Sequence, residues 1–405
     1  MATLHPFRAL RPTPERAKSV ASPPYDVVST EEARALADGN PRSFLHVVRP
    51  EIDLPEGTDL YDDAVYEKGA ENLRAFAASD DSLTEDAPAV YVYRLVMDGR
   101  SQIGLFGCVS VEDYDDETIL KHELTRPAKE DDRTRHILTQ EAHAEPVMLT
   151  YRDRDEIDRL TEEAMQADPL YDFEADDGVR HTIWRAQTTD ALAEAFEEIE
   201  HLYVADGHHR CKASSRAAHE LREDEGPDAG AEYEFFPAVL FPMGQMHIMA
   251  YNRLIYDLLM PKEELLNTLK DEFGLEAGVD PVPDEPGRVC IYTGSDWHGL
   301  ALPASASGDV ADQLDVARLG EHVLEPMLGV TDPRRDENID FVGGIRGTSE
   351  LEERVDSGEA ELAISMYPTS IEELVEVSDA GQLMPPKSTW FEPKLRSGLL
   401  VHLFD

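Results

Sequence analysis

The stretch from His201 to Ser215, His-Leu-Tyr-Val-Ala-Asp-Gly-His-His-Arg-Cys-Lys-Ala-Ser-Ser, constrains this chain more than any other. Leu202 to Ala205 is an apolar run with the length and character of a short buried strand. It stops at Asp206-Gly207. Ala213, Ala217 and Leu221 then recur at four-residue spacing, which predicts a helix. A strand that passes through a glycine into a helix presents free backbone N–H groups and a positive dipole end, which suits an anion such as a phosphate. His208, His209, Arg210 and Lys212 crowd that first turn, where cations oppose the dipole by ~0.3–1 kcal/mol each. A bound phosphate would compensate them. A plain strand–turn–helix joint with a polar cap is the alternative.

Charge narrows the partners. Asp and Glu number 84 against 37 Lys and Arg, a formal net charge of -47. The acids are interspersed and apolar residues remain ample, so a folded protein with a solvated acidic surface is expected, not a disordered one. Such a surface repels nucleic-acid phosphates and anionic lipid. Lysine is scarce while arginine persists, a balance expected of a halophile, where salt screens self-repulsion. The nine lysines are Lys18, Lys68, Lys121, Lys129, Lys212, Lys262, Lys270, Lys387 and Lys394. Five of these fall in three stretches singled out on other grounds, which suggests a need for an ammonium there. Cys108, Cys211 and Cys290 are odd in number and widely spaced, so neither a disulfide framework nor a paired metal-ligand spacing is expected. With no signal peptide and no apolar run of spanning length, the expected location is cytoplasmic.

Along the chain, Ser22-Pro-Pro-Tyr-Asp places Tyr25 and Asp26 in a stiff approach to Ser29, which caps a helix over 30–37. The pattern predicts strands over 44–48, 89–96, 103–111, 146–151 and 179–184, with Asp98-Gly99 as a hairpin turn. It predicts helices over 61–78, 156–165 and 189–199, a loop over 223–231, and paired strands over 235–241 and 247–255. Further on come a helix over 261–273, strands over 289–292 and 300–302, a helix over 312–327, strands over 339–345 and 361–366, and a helix capped by Ser370 and Glu373. The segment from Ile119 to His136 is dense in both charges. Its His122-Glu123 is not a two-histidine zinc helix, because Arg126 stands four residues after His122. The tail is aromatic and proline-stiffened, carries Lys387, Lys394 and Arg396, and ends in an apolar strand. It is expected to pack inward with its cations toward Asp206.

Pro6-Phe7, Pro23 to Asp26, His122 to Thr125 with Asp132-Arg133, Ala205 to Arg210, and Met384 to Thr389 occur in that order over nearly the full length. In this the chain resembles the family known as domain of unknown function 1015. That family usually carries an aromatic residue where this chain has Cys211. The central turn is similar to the phosphate-binding signature of the ParB/sulfiredoxin-like superfamily, which includes nucleotidases and kinases of free serine. The resemblance implies an α/β (mixed α+β) protein. A ParB/sulfiredoxin-like core with large insertions would span 1–255, and a mixed α/β lobe would span 256–405, its tail returning to the site.

The activity this implies is phosphoryl transfer from ATP or ADP, with Mg²⁺, to a small hydroxyl substrate, best L-serine. That chemistry rests on positioning and charge neutralisation. Gly207, His208 and Arg210 would hold phosphates, with Arg133, Lys387 and Lys394 stabilising charge. Asp206 is the metal-side carboxylate and Glu123 the base, with these two roles exchangeable, and His209 completes the catalytic group. Asp26 and Tyr25 would bind the ammonium and body of the acceptor. The expected partners are nucleotide and small molecule, without nucleic acid or membrane, and a homodimer is allowed. Hydrolysis on the same residues, or a nucleotide-binding regulator without turnover, are the alternatives. A peroxiredoxin-repair role would require a placed cysteine, and Cys211 reads instead as a buried helix residue.

Overall fold

The computed structural model describes residues 1–226, 228 and 230–404, with only the backbone of Glu225. The chain divides into two units. The first holds residues 1–121, 125–246 and 393–405, and the second residues 122–124 and 247–392.

The first unit is built on an eight-stranded sheet. Its order is Ile119–Leu120, Leu202–Asp206, Val147–Tyr151, Phe235–Pro242, Arg100–Ser110, Tyr91–Met97, Arg180–Arg185 and Tyr171–Glu174. The predicted hairpin forms: Met97 pairs Arg100 across Asp98-Gly99, whose φ values of 51° and 79° suit the tight turns that match strand twist. Leu202–Asp206 runs antiparallel to Val147–Tyr151 and parallel to Ile119–Leu120, so it is paired on both edges. Val92, Leu105, Val147, Leu149, Leu202, Val204, Ala238 and Leu240 form one buried cluster with Phe196, Cys211 and Ala218. That cluster seats the start of the helix His208–Glu225 against the sheet. A second, four-stranded sheet orders Ser82–Thr84, Ala9–Pro12, Val401–Leu403 and Ala142–His143. The apolar tail is thus a strand, as expected, with His402 paired to both Ala9 and His143.

The second unit carries a six-stranded sheet in the order Glu276–Ala277, Trp297–Ala301, Arg288–Tyr292, Leu362–Met366, Tyr251–Ile255 and Ile339–Gly343. The capping box predicted at Ser370 is present: Ser370 Oγ accepts from Glu373 N and Glu373 accepts from Ser370 N. The chain is therefore mixed α/β throughout.

Four local expectations are corrected. Residues 44–48 are not a strand but the helix Leu45–Val48, followed by a 3-10 turn at Pro50–Asp53. Phe44, Leu45, Val47 and Val48 are all buried, so a run this short and apolar carries no period to separate helix from strand. Phe235–Pro242 does not pair with the strand after it, because Arg100–Ser110 and Val147–Tyr151 already occupy both of its edges. The single helix over 312–327 is broken into Val310–Gln313, Asp315–Leu319, a wide turn at Gly320–Leu324, and Glu325–Leu328 opened by Pro326. The loop over 223–231 starts later, since the helix runs to Glu225; Pro227 and Ala229 lie outside the described residues.

Candidate functional site

The helix His208–Glu225 begins at Gly207, whose φ of 104° is left-handed. A Cβ there would lie 3.1 Å from Val147 Cγ1 and 3.2 Å from Arg210 Cζ, so both conformation and space call for glycine. The N-cap offers no side-chain hydrogen bond, and the first turn holds no acid. This is the uncapped, acid-free helix start that the sequence predicts.

The turn's own cation is handled by protein groups. Arg210 is buried, and its guanidinium folds back over the turn. It donates to Asp206 Oδ2 at 2.9 Å and to the Pro146 carbonyl, and it lies 3.9 Å from Asp26 Oδ2. Burial works against its charge, but Asp26, Asp206 and Glu145 outweigh that and raise its pKa. A phosphate is therefore not required to neutralise Arg210.

Asp206 keeps 28% of its side chain exposed. Lys394 lies 3.4 Å from its Oδ1, while Arg210 takes Oδ2. Burial favours the neutral acid, yet the charges of Lys394 and Arg210, with the Lys394 contact, hold its pKa well below the usual carboxylate range. Asp206 is an anion at any ordinary pH and a poor proton acceptor. His208 is buried. His209 Nε2 accepts the Arg126 backbone N–H at 3.0 Å, so that nitrogen carries no proton. Burial, with Arg126 and Lys129 against Asp26 and Glu130, lowers its pKa, leaving a neutral ring whose Nδ1–H is a donor.

Beside the turn, Tyr25 is buried beneath the guanidinium of Arg133, 4.0 Å from ring centroid to Cζ. Arg133 donates to Asp132 Oδ2 at 3.0 and 2.8 Å and reaches to 3.9 Å from Glu145 Oε2. Glu145 Oε1 accepts from Tyr25 N and from Ser397 Oγ, both at 3.0 Å. Burial raises the Glu145 pKa against the pull of Arg210 and Arg133. The first unit thus gathers Tyr25, Asp26, Arg133, Asp206, Gly207, His208, His209, Arg210 and Lys394. Glu123 and Lys387 belong to the second unit. There the His122 carbonyl accepts Met384 N at 2.8 Å, and Lys387, at a left-handed φ of 59°, sits 5.2 Å over the Tyr251 ring. Arg396 is paired with Asp177.

A family model described as "Protein of unknown function (DUF1015)" matches residues 4–317. The chain belongs to the DUF1015 family. No curated protein matches this sequence. Solved structures that resemble this DUF1015 chain include SbnI with a C-terminal truncation from Staphylococcus aureus, at 14% identity and a TM-score of 0.38, covering 74% of this chain and 87% of that one. A free serine kinase in complex with AMP is similar at 13% identity and TM-score 0.37, covering 73% and 91%. A conserved hypothetical protein from Pyrococcus furiosus is similar at 13% and 0.36, covering 73% and 94%. At such low superposition scores these likenesses add nothing to the family assignment.

Sequence reasoning missed Glu145, Ser397 and the Arg126 N–H, which the candidate site of this DUF1015 chain also holds. Glu145 stands in no motif; only its place directly before Pro146 and the strand Val147–Tyr151 hints at a strand-edge position. Cys211, by contrast, reads as expected. It is fully buried in the apolar cluster, and that burial pushes its thiol pKa up to about 12, so it has no thiolate to offer.

Proposed function

We propose that the first unit binds the phosphates of ATP or ADP at the turn Asp206–Arg210 and transfers a phosphoryl group to a small hydroxyl substrate. The similarity of the central turn to that of the free serine kinases favours L-serine as that substrate. The observation that carries this reading is the start of the helix His208–Glu225: a left-handed glycine, no capping side chain, no acid in the first turn, and Lys394 beside it. Backbone N–H groups and the dipole there attract a phosphate. His209 offers Nδ1–H to a phosphate oxygen, and Lys394 supplies charge as the group moves.

The donor set fits Mg²⁺, which takes one or two carboxylates together with phosphate oxygens. Asp206 is held ionised, and its 3.4 Å contact with Lys394 is long enough to yield, while Asp26, 3.9 Å from the same Arg210, is a second acid. When bound, the ion would neutralise phosphate charge. Asp206, as a poor proton acceptor, suits this role and not that of base.

Phosphorus NMR in multimolar salt, with Mg²⁺, ATP or ADP and a panel of hydroxy amino acids and small alcohols, tests the reading. A new phosphomonoester that requires L-serine or a relative, and is lost in Asp206→Asn, is the expected outcome. Inorganic phosphate alone would replace it with hydrolysis. Binding without turnover would leave a regulator.

A further inference from the structure

The phosphate turn does not account for a cavity of about 40 Å³ in the first unit, walled by Arg133, His136, His143, Ala144, Glu145 and Arg210 among others. Three buried nitrogens on these residues have no hydrogen-bond partner among the described residues: His136 Nδ1, His143 Nε2 and Arg210 Nε. Arg133 spends Nε and one terminal nitrogen on Asp132. The other lies 3.9 Å from Glu145 Oε2, beyond hydrogen-bond reach. Glu145 uses Oε1 for Tyr25 and Ser397, and Oε2 receives no hydrogen bond from the described residues. Buried polar groups are rarely left unpaired, and several around one hole point to an occupant that pairs them.

The walls set the chemistry of that occupant. Arg133 and Arg210 are ion-paired with Asp132 and Asp206, yet among the described residues each keeps one donor free for a carboxylate oxygen, while Glu145 Oε2 keeps an acceptor for an ammonium. A simple anion would meet Glu145, and a simple cation the two guanidinium edges. A molecule with both charges complements all three. By the ~10–15 Å³ that one water-sized group requires, there is room for about three such groups, the ammonium and two carboxylate oxygens of an amino-acid head. His136 and His143, whose pKa values burial pushes well below the usual range, stay neutral and add hydrogen-bonding capacity without charge.

We propose that this cavity receives the head of a small zwitterion of the α-amino acid class, its carboxylate toward Arg133 and Arg210 and its ammonium toward Glu145. The inference rests on the phosphotransfer reading only in naming this occupant as the acceptor, and it moves the ammonium from Asp26 to Glu145.

Calorimetric titration of the full chain with L-serine, glycerate and ethanolamine tests it, with ADP titrated in parallel. Glycerate lacks the ammonium and ethanolamine the carboxylate. Each is expected to bind at least about tenfold more weakly than L-serine, the loss typical of one charged hydrogen-bonding partner. Glu145→Gln should weaken L-serine by a similar factor. Ala144→Leu, which fills the cavity, should block L-serine and leave ADP unchanged; if that variant does not fold, Glu145→Gln decides. Equal binding of either analogue, or L-serine affinity untouched by Glu145→Gln, would overturn the proposal. So would ADP binding with no zwitterion bound, which would leave only water in the cavity. Zwitterion binding without ADP binding would overturn the phosphotransfer reading and leave this site standing.

Discussion

Asp206 ties the stability of the fold to the chemistry proposed for its turn. Its carboxylate stays ionised because Lys394 and Arg210 outweigh the penalty of burial, so its pKa falls on folding from an ordinary value of 3.8. A carboxylate whose folded pKa is depressed contributes stability above the unfolded value, and that contribution is lost as the pH falls through 3.8 toward the folded value. Asp206→Asn should therefore lower stability at pH 7 by roughly 1.5–3 kcal/mol, the range of hydrogen bonds to charged groups. In urea unfolding at decreasing pH the deficit should shrink once the unfolded state begins to protonate. A deficit that does not vary with pH would mean that packing, not charge, carries the effect. Asp206, Gly207 and Arg210 were legible as a site because they are contiguous. Glu145 was not, because its partners lie far away in the chain: Tyr25 is 120 residues before it and Ser397 is 252 after. No spacing rule reaches that far.

Among the elements, those specified by their own residues were read correctly. The hairpin at Asp98-Gly99 needs two left-handed residues and has them, and the helix Ile371–Asp379 needs Ser370 and Glu373 and has both. Elements decided by their neighbours are not legible in their own residues. Leu45–Val48 is helical where an apolar run read as strand. Phe235–Pro242 pairs with strands far earlier in the chain, Val147 against Ala238 and Phe106 against Val239, and not with its successor. The capping box gives a prediction confined to the second unit. Ser370→Ala removes the acceptor for Glu373 N and should cost about 1 kcal/mol, the usual loss for such a cap. Chemical denaturation of the variant checks the size of the loss, and ADP titration should show no change, because the turn Asp206–Arg210, where phosphate binding is proposed, lies in the first unit. A loss of ADP affinity in Ser370→Ala would show that this turn depends on the second unit's stability.

Across the whole molecule, net charge outweighs any single ion pair. With 84 acids against 37 cations, like-charge pairs outnumber unlike ones over the molecule, and self-repulsion opposes the compact state. Attractive pairs such as Arg16–Asp81, Arg42–Asp81 and Arg216–Asp131 are a quarter to two-thirds exposed, and solvent-accessible pairs of this kind contribute only ~0–1 kcal/mol each. Added salt weakens both kinds of interaction, and the repulsive kind is the larger, so stability should rise with ionic strength. The Debye length falls from ~10 Å at 0.1 M to ~3 Å at 1 M. Most of the gain in melting temperature should therefore come below about 1 M KCl, where neighbouring surface acids cease to sense one another. Excluded solutes also stabilise folded chains, so the control is a sucrose series, which leaves charge unscreened. A melting temperature that climbs in KCl well beyond its rise in sucrose supports charge repulsion as the cause. Equal rises would assign the effect to solute exclusion, and a flat or falling KCl series would mean that attractive pairs outweigh the excess of acids.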